Sequence, residues 1–153
     1  LFSYLFGNIL MVKRSELIFI SVFNLILIIF TTVYFQVIKS ISFDEDFAII
    51  SELPVKFIDF CMMIFITLSI ILLIKAVGII LVIAMLTIPP SIANNFFNDL
   101  KKIMIFSVII GMLFGIAGLY FSYIFDLPAG AIIIVIAALS YFLLFVKKII
   151  FKN

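Results

Sequence analysis

Histidine and tryptophan are absent from these 153 residues, cysteine occurs once, and only 12% of the residues are charged. Each scarcity closes off some chemistry. Without histidine there is no Ser-His-Asp or Cys-His arrangement, no HExxH site and no His-containing zinc site. A lone cysteine, Cys61, excludes an intrachain disulfide. No glycine-rich loop ends in GK[ST], so ATP is not bound in the P-loop manner. These absences argue against an enzyme. A membrane enzyme working through carboxylates alone would need paired acids inside the apolar runs, and the runs contain none. The net charge is a small positive excess, +2. The basic residues sit at the ends of apolar runs rather than in a patch, so nothing points to a nucleic-acid partner.

What is present is apolar surface. Hydrophobic residues make up 67% of the chain, more than a water-soluble core could absorb, which makes this an integral membrane protein. The runs do not alternate apolar and polar residues as barrel strands would. The fold class is therefore all-α, a polytopic membrane protein. Run lengths and the breakers between them predict five membrane-embedded helices, near residues 17–38, 57–74, 77–90, 103–124 and 130–147. The third is short, and Pro89 and Pro90 are expected to break it. The whole of 1–153 reads as one transmembrane domain, with no internal repeat, low-complexity linker or second domain. The chain opens on Leu1 without a basic leader. Residues 1–16 look like the end of a preceding helix plus a loop, so further N-terminal spans are expected.

Lysine and arginine set the orientation. With five spans, Lys39, Lys56, Lys101, Lys102, Lys147, Lys148 and Lys152 fall on one side, and Lys13, Arg14 and Lys75 on the other. Positive charge favours the cytoplasm. That places the 39–56 segment, the 91–102 loop and the C-terminus on the cytoplasmic side of a cell membrane that the chain crosses several times.

The 42–55 stretch, SFDEDFAIISELPV, holds four of the chain's eight acids. Ser42 and Glu45 form a capping box, predicting a helix start, and Pro54 predicts its end near Leu53. Phe43, Phe47 and Ile50 share one face of such a helix. A solvated loop helix is the ordinary reading of this pattern; a docking helix for a cytoplasmic partner is the sharper one. Among the other candidates, Gly111, Gly115 and Gly118 on the fourth span suit close helix packing, within the subunit or between subunits. Met62, Met63, Met85, Met104 and Met112 read as flexible packing rather than soft metal ligands. Asp59 and Asp126 lie at span ends, where carboxylates stay hydrated. No residue set reads as a metal site.

Several segments then line up in order: YLFGNILMV at 4–12, FDEDFAIISELPV at 43–55, VGIILVIAMLTIPPSIA at 77–93 and GLYFSYIFDLPAGAIIIV at 118–135. Together they resemble the permease subunits of zinc/manganese ATP-binding-cassette importers, the ABC-3 type. The match covers essentially this whole chain and the C-terminal portion of a complete permease. The family patterns are LFG-[DN]-I-L, F-D-x-x-x-A-x-x-x-G-L-P, V-G-x-L-L-x-x-A-L-L-x-x-P-A-A-x-A and S-x-x-x-D-x-P-x-G. Glu52 departs from them where glycine is usual, Pro90 where a small residue is usual, and Asn94 where arginine is frequent.

The resemblance implies that Phe43, Asp44 and Ala48 belong to a cytoplasmic coupling helix held by an ATPase subunit. Glu45, Asp46, Phe47 and Ile50 would share that contact. It implies that Asp126, Pro128 and Gly130 form an outward-facing turn. The implied partners are an ABC ATPase, an extracytoplasmic metal-binding protein, a second permease copy and membrane lipid. The implied cargo is a divalent metal ion, with zinc favoured and manganese or iron as alternatives. No cofactor would be bound by this chain, and hydrolysis of ATP would belong to the separate ATPase. A permease of the vitamin B12/siderophore type, or a membrane assembly subunit without transport, is the competing reading.

Overall fold

The computed structural model describes residues 14–43 and 54–150, and these form six helices with no strand among them. We number them α1 (Arg14–Val33), α2 (Phe35–Phe43), α3 (Val55–Val77), α4 (Ile79–Asn94), α5 (Leu100–Phe125) and α6 (Ala129–Ile150). Four are long and apolar enough to cross a bilayer: α1, α3, α5 and α6. At 16 residues α4 rises only ~24 Å, short of a ~30 Å hydrocarbon core. The chain divides into two compact units, with the boundary between Leu72 and Leu73 inside α3.

In the unit of residues 11–72, the expected single span 17–38 is two helices with a turn at Tyr34. The backbone ladder continues through the turn, since the Tyr34 amide donates to Phe30 O and the Ile38 amide to Tyr34 O, both at 3.0 Å. Thr31 donates its hydroxyl to Leu27 O at 2.8 Å, and Thr32 donates to Ile28 O and Ile29 O at 2.9 Å. Paired back-bonding of this kind bends helices. Phe65 of α3 meets Phe23 and Phe30 of α1, with ring centroids 6.0 and 4.8 Å apart. Ile38, Val55 and Ile58 are buried.

The Ser42 expectation needs correction. Ser42 lies inside the last turn of α2 and donates its hydroxyl to Ile38 O at 2.8 Å, so it does not cap a helix starting there. The apolar run carries the helix past it, and a serine preceded by helical residues bonds backwards rather than forwards. Pro54 stands just ahead of α3, where its carbonyl accepts from the Ile58 amide at 3.1 Å.

In the unit of residues 73–153, α4, α5 and α6 pack pairwise against one another. Leu81, Val82, Ile92 and Ala93 of α4, Ile110 of α5, and Ile133 and Ala137 of α6 are buried. One residue, Gly78, joins α3 to α4. Its backbone, φ 87° and ψ 155°, lies in a region open essentially to glycine alone. The expected break at Pro89 and Pro90 does not occur, because α4 runs through both to Asn94. Proline removes a donor from the ladder without preventing helical dihedrals, and packing holds the helix together: Pro89 is itself buried. Beyond α4, the Phe96 and Phe97 amides donate to Ala93 O at 3.0 and 3.1 Å. Phe106 of α5 receives both rings, edge-on, with centroids 6.2 and 5.0 Å away.

Candidate functional site

The turn between α5 and α6 is the most fully specified feature. Asp126 ends α5 in the left-handed conformation, φ 52°, and is the one described non-glycine residue with positive φ. Aspartate is among the few residues that tolerate this geometry. The amides of Asp126 and Leu127 both donate to Ser122 O, and the Ser122 hydroxyl donates to Leu127 O at 2.6 Å. The last turn of α5 is thus closed by backbone and side chain together. Pro128 starts α6: its carbonyl accepts from the Ala131 and Ile132 amides at 3.1 and 3.3 Å. Gly130 is buried in the first turn of α6. Asp126 and Pro128 are exposed. Ser122 is the serine of the S-x-x-x-D-x-P-x-G pattern, and its bond to Leu127 O shows what that position does.

The end of α5 approaching this turn is ringed with exposed aromatics: Tyr120, Phe121, Tyr123 and Phe125. Phe121 stacks on Phe125 at 6.3 Å. Tyrosines with an apolar body and a polar tip suit a membrane–water boundary.

The three glycines of α5 do different things. A Cβ at Gly118 would lie 2.9 Å from the Ile133 Cα, so α5 and α6 meet there at backbone distance. A Cβ at Gly111 would stand 4.0 Å from Pro89 Cγ of α4, an ordinary contact, and at Gly115 it would meet nothing within 4 Å. Close packing is therefore a property of Gly118, looser contact of Gly111, and neither of Gly115 among the described residues.

Of the expected coupling residues, Phe43 is the last residue of α2 and is strongly exposed. Asp44, Glu45, Asp46, Phe47, Ala48 and Ile50 lie outside the described residues. Asp59 is on the first turns of α3 and half-buried, and Cys61 follows it, also half-buried. Among the described residues no group of three or more Asp, Glu or Cys side chains is placed to hold a metal ion.

Residues 1–148 match the ABC 3 transport family. The chain belongs to that family. Its relatives include the manganese transport system membrane protein MntC of Listeria monocytogenes, 35% identical over 145 residues, covering 95% of this chain and 52% of the relative. Another is the high-affinity zinc uptake system membrane protein ZnuB of Haemophilus influenzae, 30% identical, covering 97% of this chain and 57% of the relative. Among solved structures, PsaBC from Streptococcus pneumoniae in complex with Fab superimposes with a TM-score of 0.85 at 32% identity, covering 94% of this chain and 51% of that chain. This ABC 3 chain therefore spans about half the length of the curated relatives it matches. The Ser122–Gly130 turn and the Gly78 joint are features of that half.

Proposed function

We propose that this chain is part of the membrane-spanning permease of an ATP-binding-cassette importer for divalent metal ions. The observation that carries the reading is the match to the ABC 3 transport family over residues 1–148. The ordered helices, the joint at Gly78 and the capped turn at Asp126 support it. The chain has no phosphate-binding loop, so ATP hydrolysis belongs to a separate ATPase subunit that docks from the cytoplasm around Phe43–Ile50. A metal-binding protein delivers the ion on the other side, at the Asp126 turn. Two permease copies form the pathway in a cell membrane. ATP at the ATPase biases the two states of the permease through the docked segment. The cargo is a divalent transition metal. Relatives carry both manganese and zinc in their names, so manganese stands beside the zinc that the sequence resemblance favoured.

The experiment is uptake of radioactive manganese and zinc by cells that express the permease with its native flanking sequence, its ATPase and its binding protein. The expected result is ATP-dependent accumulation of at least one of the two ions, abolished by deleting residues 44–53. A complex that assembles but accumulates neither ion overturns the reading.

A further inference from the structure

Within the unit of residues 73–153, polar side chains are not distributed evenly. The serines of α5 and α6, Ser107, Ser122 and Ser140, are half-buried, whereas Thr87 and Ser91 of α4 are exposed. Four residues apart, these two stand one above the other on a single helix face. That face is opposite the one carrying Leu81, Val82, Pro89, Ile92 and Ala93, which α5 and α6 cover. The exposed surface of α5 between its ends is made of residues such as Met112, Leu113 and Ile116, whereas α4 exposes Thr87 and Ser91 beside Ile80 and Ile83.

The hydrogen bonding gives the α4 face a definite sign. Thr87 donates its hydroxyl proton to Ile83 O at 2.8 Å, and Ser91 donates to Thr87 O at 2.7 Å. A hydroxyl has one proton and two lone pairs. With the proton committed to the helix, each oxygen offers only lone pairs outward. At Thr87 and Ser91 the face therefore accepts hydrogen bonds from water and faces positive charge favourably. Asn94 and Asn95, both exposed, continue the polar surface towards the end of the helix, and the Asn95 side-chain Nδ2 donates to Ser91 O at 2.9 Å. Hydroxyl side chains on membrane helices suit contact with another protein surface or with water.

We propose that the Thr87–Ser91 face of α4 lines a water-filled path along which a hydrated divalent cation passes. This deepens the metal-import reading and rests on it. Neutral oxygens without a carboxylate suit transit rather than storage, because an ion must leave such a surface as readily as it enters. The hard oxygen donors suit a cation that keeps much of its water.

The test uses the permease with its native flanking sequence, Cys61→Ser and every other cysteine replaced. Thr87→Cys and Ser91→Cys are compared with Met112→Cys and Ile116→Cys, whose parent side chains are 64% and 67% exposed. A cationic methanethiosulfonate reagent reports access from water. The expected result is modification at positions 87 and 91 at least about tenfold faster than at 112 and 116, as a water-filled lining requires. In the native background, Thr87→Val/Ser91→Ala is expected to lower uptake of the transported ion by about threefold or more at unchanged membrane level. Labelling at 87 and 91 no faster than at the two controls, or undiminished uptake by the double variant, overturns the proposal. Failure of the metal-import reading shows separately, as absence of manganese and zinc uptake by the wild-type complex.

Discussion

At Gly118 a single hydrogen atom in place of a side chain sets the distance between two helices. The Cβ of an alanine there would press on the Ile133 backbone, which has no flexible end to swing away. Gly118→Ala should destabilise the folded permease by about 1–3 kcal/mol, the usual cost of overpacking. Gly115→Ala should fall within about 0.5 kcal/mol of wild type, because its new methyl meets nothing within 4 Å among the described residues. Thermal unfolding in detergent separates the two; equal losses would mean that α5 and α6 do not meet at Gly118. Ser122 makes a second residue-level case. Ser122→Ala removes the hydroxyl donor to Leu127 O and should cost about 1 kcal/mol, while Ser122→Thr should retain most of the stability. A threonine variant as unstable as the alanine one would show that the hydroxyl is not what holds the turn.

At the level of elements, run length and breakers located the apolar helices well, and the ends of α3, α5 and α6 moved by only a few residues. The failures share one cause. Ser42, Pro89 and Pro90 were read by local propensity, and in each case the surrounding helix prevailed. Ser42 bonds back to Ile38 O inside α2, and Pro89 is buried in a packed α4. The Tyr34 turn has no glycine or proline to mark it, so nothing in the sequence signals it. The positive φ of Gly78 cannot be read from the sequence, since composition does not distinguish a flexible glycine from an obligatory one. Of the candidate site, the family resemblance implies the Asp126–Gly130 turn, whereas the unequal roles of the three α5 glycines depend on which neighbour lies across from each. The segment from Asp44 to Leu53 keeps its sequence-based expectation. Phe47→Ala should greatly reduce co-purification of the ATPase, as loss of an aromatic anchor typically costs ~2 kcal/mol or more. Asp46→Asn should reduce it slightly and in a salt-dependent way. Unchanged co-purification and unchanged ion-stimulated ATP hydrolysis in Phe47→Ala would remove the segment from the coupling path.

For the whole molecule, the asymmetry of lysine and arginine predicts which loops face the cytoplasm. Asn98, in the exposed turn between α4 and α5, lies beside Lys101 and Lys102. Asn98→Cys should react with an impermeant maleimide in inside-out vesicles and stay unreacted in intact cells; the reverse pattern would invert the orientation. The short α4 carries a further consequence, in the order of synthesis. The helices that cover Leu81, Val82, Ile92 and Ala93 are both made after them. At about 5–20 residues per second, a few seconds pass between completion of α4 and arrival of Ile133 and Ala137. For that interval a helix too short to span the bilayer, joined to α3 by one glycine, has no covering partner from α5 or α6. Ribosome pausing just after Asn94 would prolong that exposure, and a nascent chain arrested there should be more open to membrane proteases than one arrested after Val146.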